Sequence, residues 1–338
     1  MFKRLLVPLD RSSFAEQALG PAVAIARASN AGLTLMMVHT PRPLAGIADV
    51  PWHARQVPGK DKYLAVLAEK ISKGASVPTR HVVACGEVAM MICQQAAVEN
   101  ADLIVMTSLG RIGFDRAWIG SVADGVMRKS SAPVLMIRPK DGELEKDFLP
   151  EAMEGDTKNP RLLFRRILVP LDGSALALEV LPAASALAQC GEGHLVLLQV
   201  VDPVPAFISE VGLPFVFPPP VQAGLTTADL VAGAEQSLTQ TASKLSDNGC
   251  DSVETRVVVA TDAAQAIVDF ARDNGIDAIG MSTHGRGVSR LLIGSVADRV
   301  LRASVLPILL RRPSAIPVTR MSEKTTAESP HLSTVTVI

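Results

Sequence analysis

Two short runs carry the residue types most able to do chemistry. Thr107–Ser121 reads TSLGRIGFDRAWIGS, and Ser282–Ser295 reads STHGRGVSRLLIGS. Glycine at Gly110 and Gly285 lets backbone N–H groups approach an anionic oxygen with no Cβ in the way. Gly120-Ser121 and Gly294-Ser295 then open a helix, with Val122 and Val296 supplying the next N–H groups. Free N–H groups and the helix dipole favour an anion there, and each serine hydroxyl can bond a phosphate oxygen. Arg111 and Arg286 follow the loop glycines and either reach the phosphates or lie solvated. No GK[ST] triplet is present, so this is not a P-loop. Ser121-x-x-Asp124 and Ser295-x-x-Asp298 also fit a plain helix-capping pattern, which needs no ligand.

Both runs belong to an internal repeat. RLLVPLD at 4–10 returns as RILVPLD at 166–172, and GSVAD at 120–124 returns at 294–298. PVLMIR at 133–138 answers to LPILLR at 306–311. The offset grows from 162 to 174, so the second copy holds extra residues in its middle, mainly in the Pro-rich stretch 202–225. Phe207, Phe215 and Phe217 in that stretch are expected to fold over their own domain, with a partner-docking patch as the alternative. The organisation expected is domain 1 over 1–139, an acidic linker over 140–163, domain 2 over 164–313 and a disordered tail over 314–338.

Each copy alternates short apolar runs with helical patterns. The first copy predicts strands at Leu5–Leu9, Leu33–His39, Arg80–Ala84, Leu103–Thr107 and Val134–Ile137. Between them it predicts a helix capped by Ser12 or Ser13 and running to about Ser29, closed by Gly32, then helices at Lys62–Lys73, Val88–Glu99 and Ser121–Lys129. Pro21 and Pro182 fall inside the first helix of each copy and should kink it. The second copy predicts the same order. Strands apolar on both faces suit a parallel sheet covered by helices, so the fold expected is α/β: two tandem doubly wound five-stranded domains, Rossmann-like. Ligands of such sheets bind beyond the carboxyl ends of the strands. Asp10 and Asp172 follow the first strand of each copy, and the glycine loops follow the fourth.

The chain resembles the universal stress protein family, whose nucleotide-binding members carry G-x2-G-x9-G-[ST] after strand four and an Asp after strand one. The first copy keeps the nine-residue gap between Gly110 and Gly120, while the second has eight between Gly285 and Gly294. Thr107 and Ser282 stand where the first glycine belongs. The resemblance implies that Asp10 and Asp172 bond the ribose hydroxyls and that the backbone at Val38 and Val200 meets the adenine edge. It implies an adenine nucleotide as ligand: ATP, with or without Mg, or else AMP or ADP. The implied role is a nucleotide-dependent sensor or regulator in the stress response, with no fast chemistry. The rivals are a weak ATPase or autophosphorylating protein using Ser121 or Ser295, and a nucleotide-free scaffold. His39 either lines the adenine side or is structural. His284 is a loop residue, replaced by Leu109 in the first copy. The last strands, Val134–Ile137 and Ile308–Leu310, are expected to pair the two copies about a pseudo-two-fold axis, and association of whole chains into a homodimer is compatible with this.

Composition narrows the classes. Apolar residues make up 48% of the 338, room for two cores at ~150 residues per domain. Basic and acidic residues nearly balance, 33 against 34, which argues against a nucleic-acid binder or a polybasic membrane-surface protein. Aromatics are only 4%, too few for base-stacking platforms. Cys85, Cys93, Cys190 and Cys250 form no C-x-x-C pair or metal-ligand spacing, so buried thiols in a reducing compartment are expected. The apolar run in MFKRLLVPLDRSS is cut by Pro8 and Asp10, unlike a signal sequence, and no stretch is long enough to span a bilayer. A cytoplasmic location is the resulting expectation.

Overall fold

The computed structural model describes residues 1–40, 50–108, 119–138, 163–204, 226–250, 252–283 and 294–313, with backbone only at 50–56. The first copy runs β1 (Arg4–Pro8), α1 (Ser13–Glu16), α2 (Leu19–Ser29), β2 (Gly32–His39), α3 (Val50–Ala75), β3 (Thr79–Cys85), α4 (Val88–Val98), β4 (Leu103–Thr107), α5 (Ser121–Lys129) and β5 (Val134–Ile137). The second repeats it as β6 (Arg166–Pro170), α6 (Ala175–Leu178), α7 (Leu181–Cys190), β7 (His194–Val201), α8 (Thr227–Asp247), β8 (Val253–Val259), α9 (Ala263–Asp273), β9 (Ala278–Ser282), α10 (Ser295–Ala303) and β10 (Ile308–Arg311).

All ten strands form one sheet in the order β3-β2-β1-β4-β5-β10-β9-β6-β7-β8. Within each copy the strands are parallel. The copies join where β5 and β10 pair antiparallel, with Leu135 opposite Leu309 at the centre. This is the expected pairing through the last strands, and it hides two apolar edges that would otherwise template association. Alternation along each strand feeds two apolar layers. Leu5, Val7, Ile167 and Val169 face one, and Leu6 and Leu168 face the other. α1, α2 and α3 cover the first layer, and α4 and α5 the second. Asp102 and Asp277 clamp the start of β1 and β6 by accepting the N–H groups of Lys3 and Arg4, and of Arg165 and Arg166.

Three local expectations need correction. The first helix of each copy is not kinked at proline but broken before it, at Gln17 and Ala18 and at Glu179 and Val180. Pro21 and Pro182 thus sit in the first turn of α2 and α7, where a missing N–H costs little. Asn30, not Gly32, ends α2. It adopts the left-handed conformation at φ 52° while its N–H closes on Ala26 and Arg27, and Gly32 already belongs to β2. Cys85 is exposed rather than buried, because it ends β3, an edge strand. The Phe207, Phe215 and Phe217 cluster, the linker and the tail lie outside the described residues.

Candidate functional site

The strand order reverses direction between β1 and β4, and again between β6 and β9. These are the switch points at which the crossovers diverge and leave a crevice at the carboxyl ends. Asp10 and Thr107 stand there in the first copy, Asp172 and Ser282 in the second.

The loop after β1 is built the same way twice. Asp10 Oδ1 accepts the Ser12 N–H at 2.9 Å, and Asp172 Oδ1 accepts the Ser174 N–H at 2.9 Å. Ser12 and Ser174 in turn cap α1 and α6 by accepting from Ala15 and Ala177. The intervening residue must be left-handed: Gly173 has φ 80°, whereas the first copy forces Arg11 to φ 68°. The Arg11 guanidinium lies 5.5 Å from the Tyr63 ring centre, and the Tyr63 hydroxyl donates to Glu16. Burial, with Glu16 beside it, pushes the Tyr63 phenol far above its ordinary range.

At the end of β4 the chain is tied to its neighbour strand. The Ser108 N–H donates to the Ile137 carbonyl at 3.0 Å, and the Ser108 carbonyl accepts the Gly120 N–H at 2.9 Å. The second copy matches: Thr283 N–H to Arg311 carbonyl, and Gly294 N–H to Thr283 carbonyl. Each loop therefore returns beside the strand it left, and its helix begins at the carboxyl edge of the sheet. Gly110, Arg111, Gly285, Arg286, Leu109 and His284 lie outside the described residues.

The helices that start there, like α2 and α7, lack the side-chain cap that α1, α4, α6, α8 and α9 carry. Glu87, Thr226 and Asp262 close α4, α8 and α9 with side-chain acceptors. Gly120 and Gly294 are the N-caps of α5 and α10, with no side-chain cap. Ser121 and Ser295 are the first helical residues and are exposed. Asp124 and Asp298, the acids of the capping pattern, bond Arg128 and Arg302 one turn on, each at 2.8 Å. The plain capping reading of Ser-x-x-Asp therefore does not hold. The first N–H groups of both helices have no side-chain acceptor among the described residues. Val122 is half-buried and Val296 exposed.

Thr107 and Ser282 are buried. The Ser282 hydroxyl donates to the Leu176 carbonyl at 2.7 Å. A hydroxyl in place of glycine here ties α6 to the sheet, and points toward that helix rather than the loop. Val38 and Val200 are half-buried near the ends of β2 and β7. The Met36 carbonyl accepts the Leu9 N–H just past the end of β1, so the Val38 carbonyl, two residues on, extends beyond that strand. Lys60 Nζ donates to it at 2.9 Å and lies 3.4 Å from Nδ1 of His39, which is buried. Among the described residues no side chain donates to the Val200 carbonyl. Lys60, Tyr63 and Ser108 escaped the sequence reading. Lys60 and Tyr63 reach the site through tertiary packing, which no local spacing marks, whereas Ser108 follows Thr107 within the glycine-loop run itself.

The sequence profile of the Universal stress protein family matches residues 1–138 and again 163–312. The chain belongs to the universal stress protein family. The universal stress protein YxiE of Bacillus subtilis is 33% identical over 150 residues, 41% of this chain and all of that one. Universal stress protein Mb2028c of Mycobacterium bovis is 25% identical over 262 residues, 77% of this chain and 74% of its own. In fold, a universal stress protein from Archaeoglobus fulgidus superposes with a TM-score of 0.62 at 20% identity, over 92% of this chain and 97% of that one. Among the described residues no helix is long and apolar enough to cross a membrane, and no cluster of His, Cys, Asp or Glu could hold a metal ion.

Proposed function

We propose that this universal stress protein binds an adenine nucleotide, ATP in the first instance, and acts as a nucleotide-dependent regulator in the cytoplasm. It does so from two domains, 1–139 and 164–313, joined by the 140–163 linker. The observation that carries this reading is the pair of helix starts at the two switch points. α5 and α10 begin without a side-chain cap at the carboxyl edge of the sheet, with an exposed serine hydroxyl at the first position of each. Such an end favours a phosphate. Asp10 and Asp172 each give one oxygen to the loop N–H two residues on, which fixes both carboxylates at the switch points.

The two sites are unequal at the base end. Lys60 already donates to the Val38 carbonyl, so an adenine amino group there competes with it. Among the described residues the second copy has no such donor at the Val200 carbonyl. The test is calorimetric titration of ATP into the chain and into Gly120→Val and Gly294→Val variants. Each variant should remove its own site's share of the heat. Full binding retained by both variants would refute the reading.

A further inference from the structure

One buried cation in the first copy has no carboxylate partner among the described residues. Arg138 follows β5, and alternation with Val134 and Met136 puts its side chain on the face that α5 covers. It is 9% exposed. Nη1 donates to Ser108 Oγ at 3.3 Å, while Nε and Nη2 are buried without a partner. The charge felt most nearby is a like one, Arg302. Burial and that repulsion lower the Arg138 pKa to about 10, so it is still charged at neutral pH. Among the described residues, the carboxylates of α5 and α10 are engaged elsewhere: Asp124 holds Arg128, and Asp298 holds Arg302.

The position of this guanidinium is informative. Ser108, its one partner, holds the Gly120 N–H through its own carbonyl. Arg138 is therefore one residue removed from the uncapped start of α5. The matching residue of the second copy, Arg312, is exposed. A guanidinium offers five donors in a planar fork that suits phosphate oxygens. Left buried and unbalanced it is strongly unfavourable.

We propose that Arg138 is an anion-binding residue of the first copy, where it joins Ser108 and the first N–H groups of α5 to hold the outer phosphates of a nucleotide polyphosphate. The identity of the ligand rests on the nucleotide reading above, but the anion site does not. The first copy then selects by phosphate count, ATP over AMP, more strongly than the second does.

The test uses the full chain, its Arg138→Met, Arg138→Lys and Arg312→Met variants, and thermal unfolding with and without sodium pyrophosphate. ATP titrations are run in a Gly294→Val background so that the first copy is read alone. Pyrophosphate should raise the Tm of the wild type and of Arg312→Met, and raise it much less for Arg138→Met. ATP affinity should fall about tenfold or more in Arg138→Met, the loss of a charge-assisted pair, and less in Arg138→Lys. Without ligand, Arg138→Met should unfold no lower than wild type, whereas a merely structural arginine would leave it less stable with an undiminished pyrophosphate shift. If Arg138→Met does not fold, Arg138→Lys carries the comparison. Equal pyrophosphate shifts in wild type and the Arg138 variants, or equal ATP affinity, would overturn the anion site and leave nucleotide binding intact. Pyrophosphate stabilisation through Arg138 with no response to ATP would support the anion site and overturn the nucleotide reading.

Discussion

Replacing Lys60 should unmask the first copy's base end. Lys60 Nζ sits 2.9 Å from the Val38 carbonyl, the group an adenine amino would use, and is only half-buried there. A hydrogen bond from a charged donor is worth about 1.5–3 kcal/mol, and the exposure argues for the lower end. About 1.5 kcal/mol corresponds to roughly tenfold in affinity. Lys60→Met keeps an apolar stem over Val38 and frees its carbonyl. In ATP calorimetry on a Gly294→Val background, which reads the first copy alone, Lys60→Met should tighten binding about tenfold. Unchanged binding in the first copy would show that Lys60 does not compete with the base, and weakened binding would make Lys60 a ligand contact.

Further outcomes follow from the packing. A Cβ at Gly125 would lie 2.7 Å from the Ala89 Cβ, so Gly125→Val should force α5 from α4 and cost about 1–3 kcal/mol in urea unfolding. Ser282→Ala removes the hydroxyl that ties α6 to the sheet and should cost about 1 kcal/mol by the same measurement. Tyr63 is the one tyrosine of the chain, so its ionisation can be followed by tyrosinate absorbance. With its pKa raised in the fold, the stabilisation it contributes is fully present below the unfolded value near 10 and is lost as pH rises beyond it. Absorbance should stay low until the protein unfolds in alkali, and Tyr63→Phe should flatten the alkaline fall in stability.

The repeated sequences made the architecture legible. RLLVPLD and GSVAD recur because the same strand starts and the same helix openings recur, and the apolar runs between them have only a two-faced parallel sheet to enter. What stayed hidden depended on three-dimensional neighbours. Pro21 reads as a kink, since nothing in sequence shows that the chain turns at Gln17 and Ala18 first. Ser121-x-x-Asp124 reads equally as a cap or a phosphate site, and only the Asp124–Arg128 bond separates the two. Lys60 lies 22 residues from Val38, and Arg138 lies 30 from Ser108. One signal was available: an arginine at a strand end, in phase with Val134 and Met136, stands on the face of a buried layer.

The two helix starts at the carboxyl edge of the sheet are proposed to hold an adenine nucleotide. Purified chain should release adenine nucleotide on denaturation, identified by chromatography, and the stripped protein should give heat on titration with ATP. Folded protein that carries no nucleotide and gives no heat with ATP would contradict it.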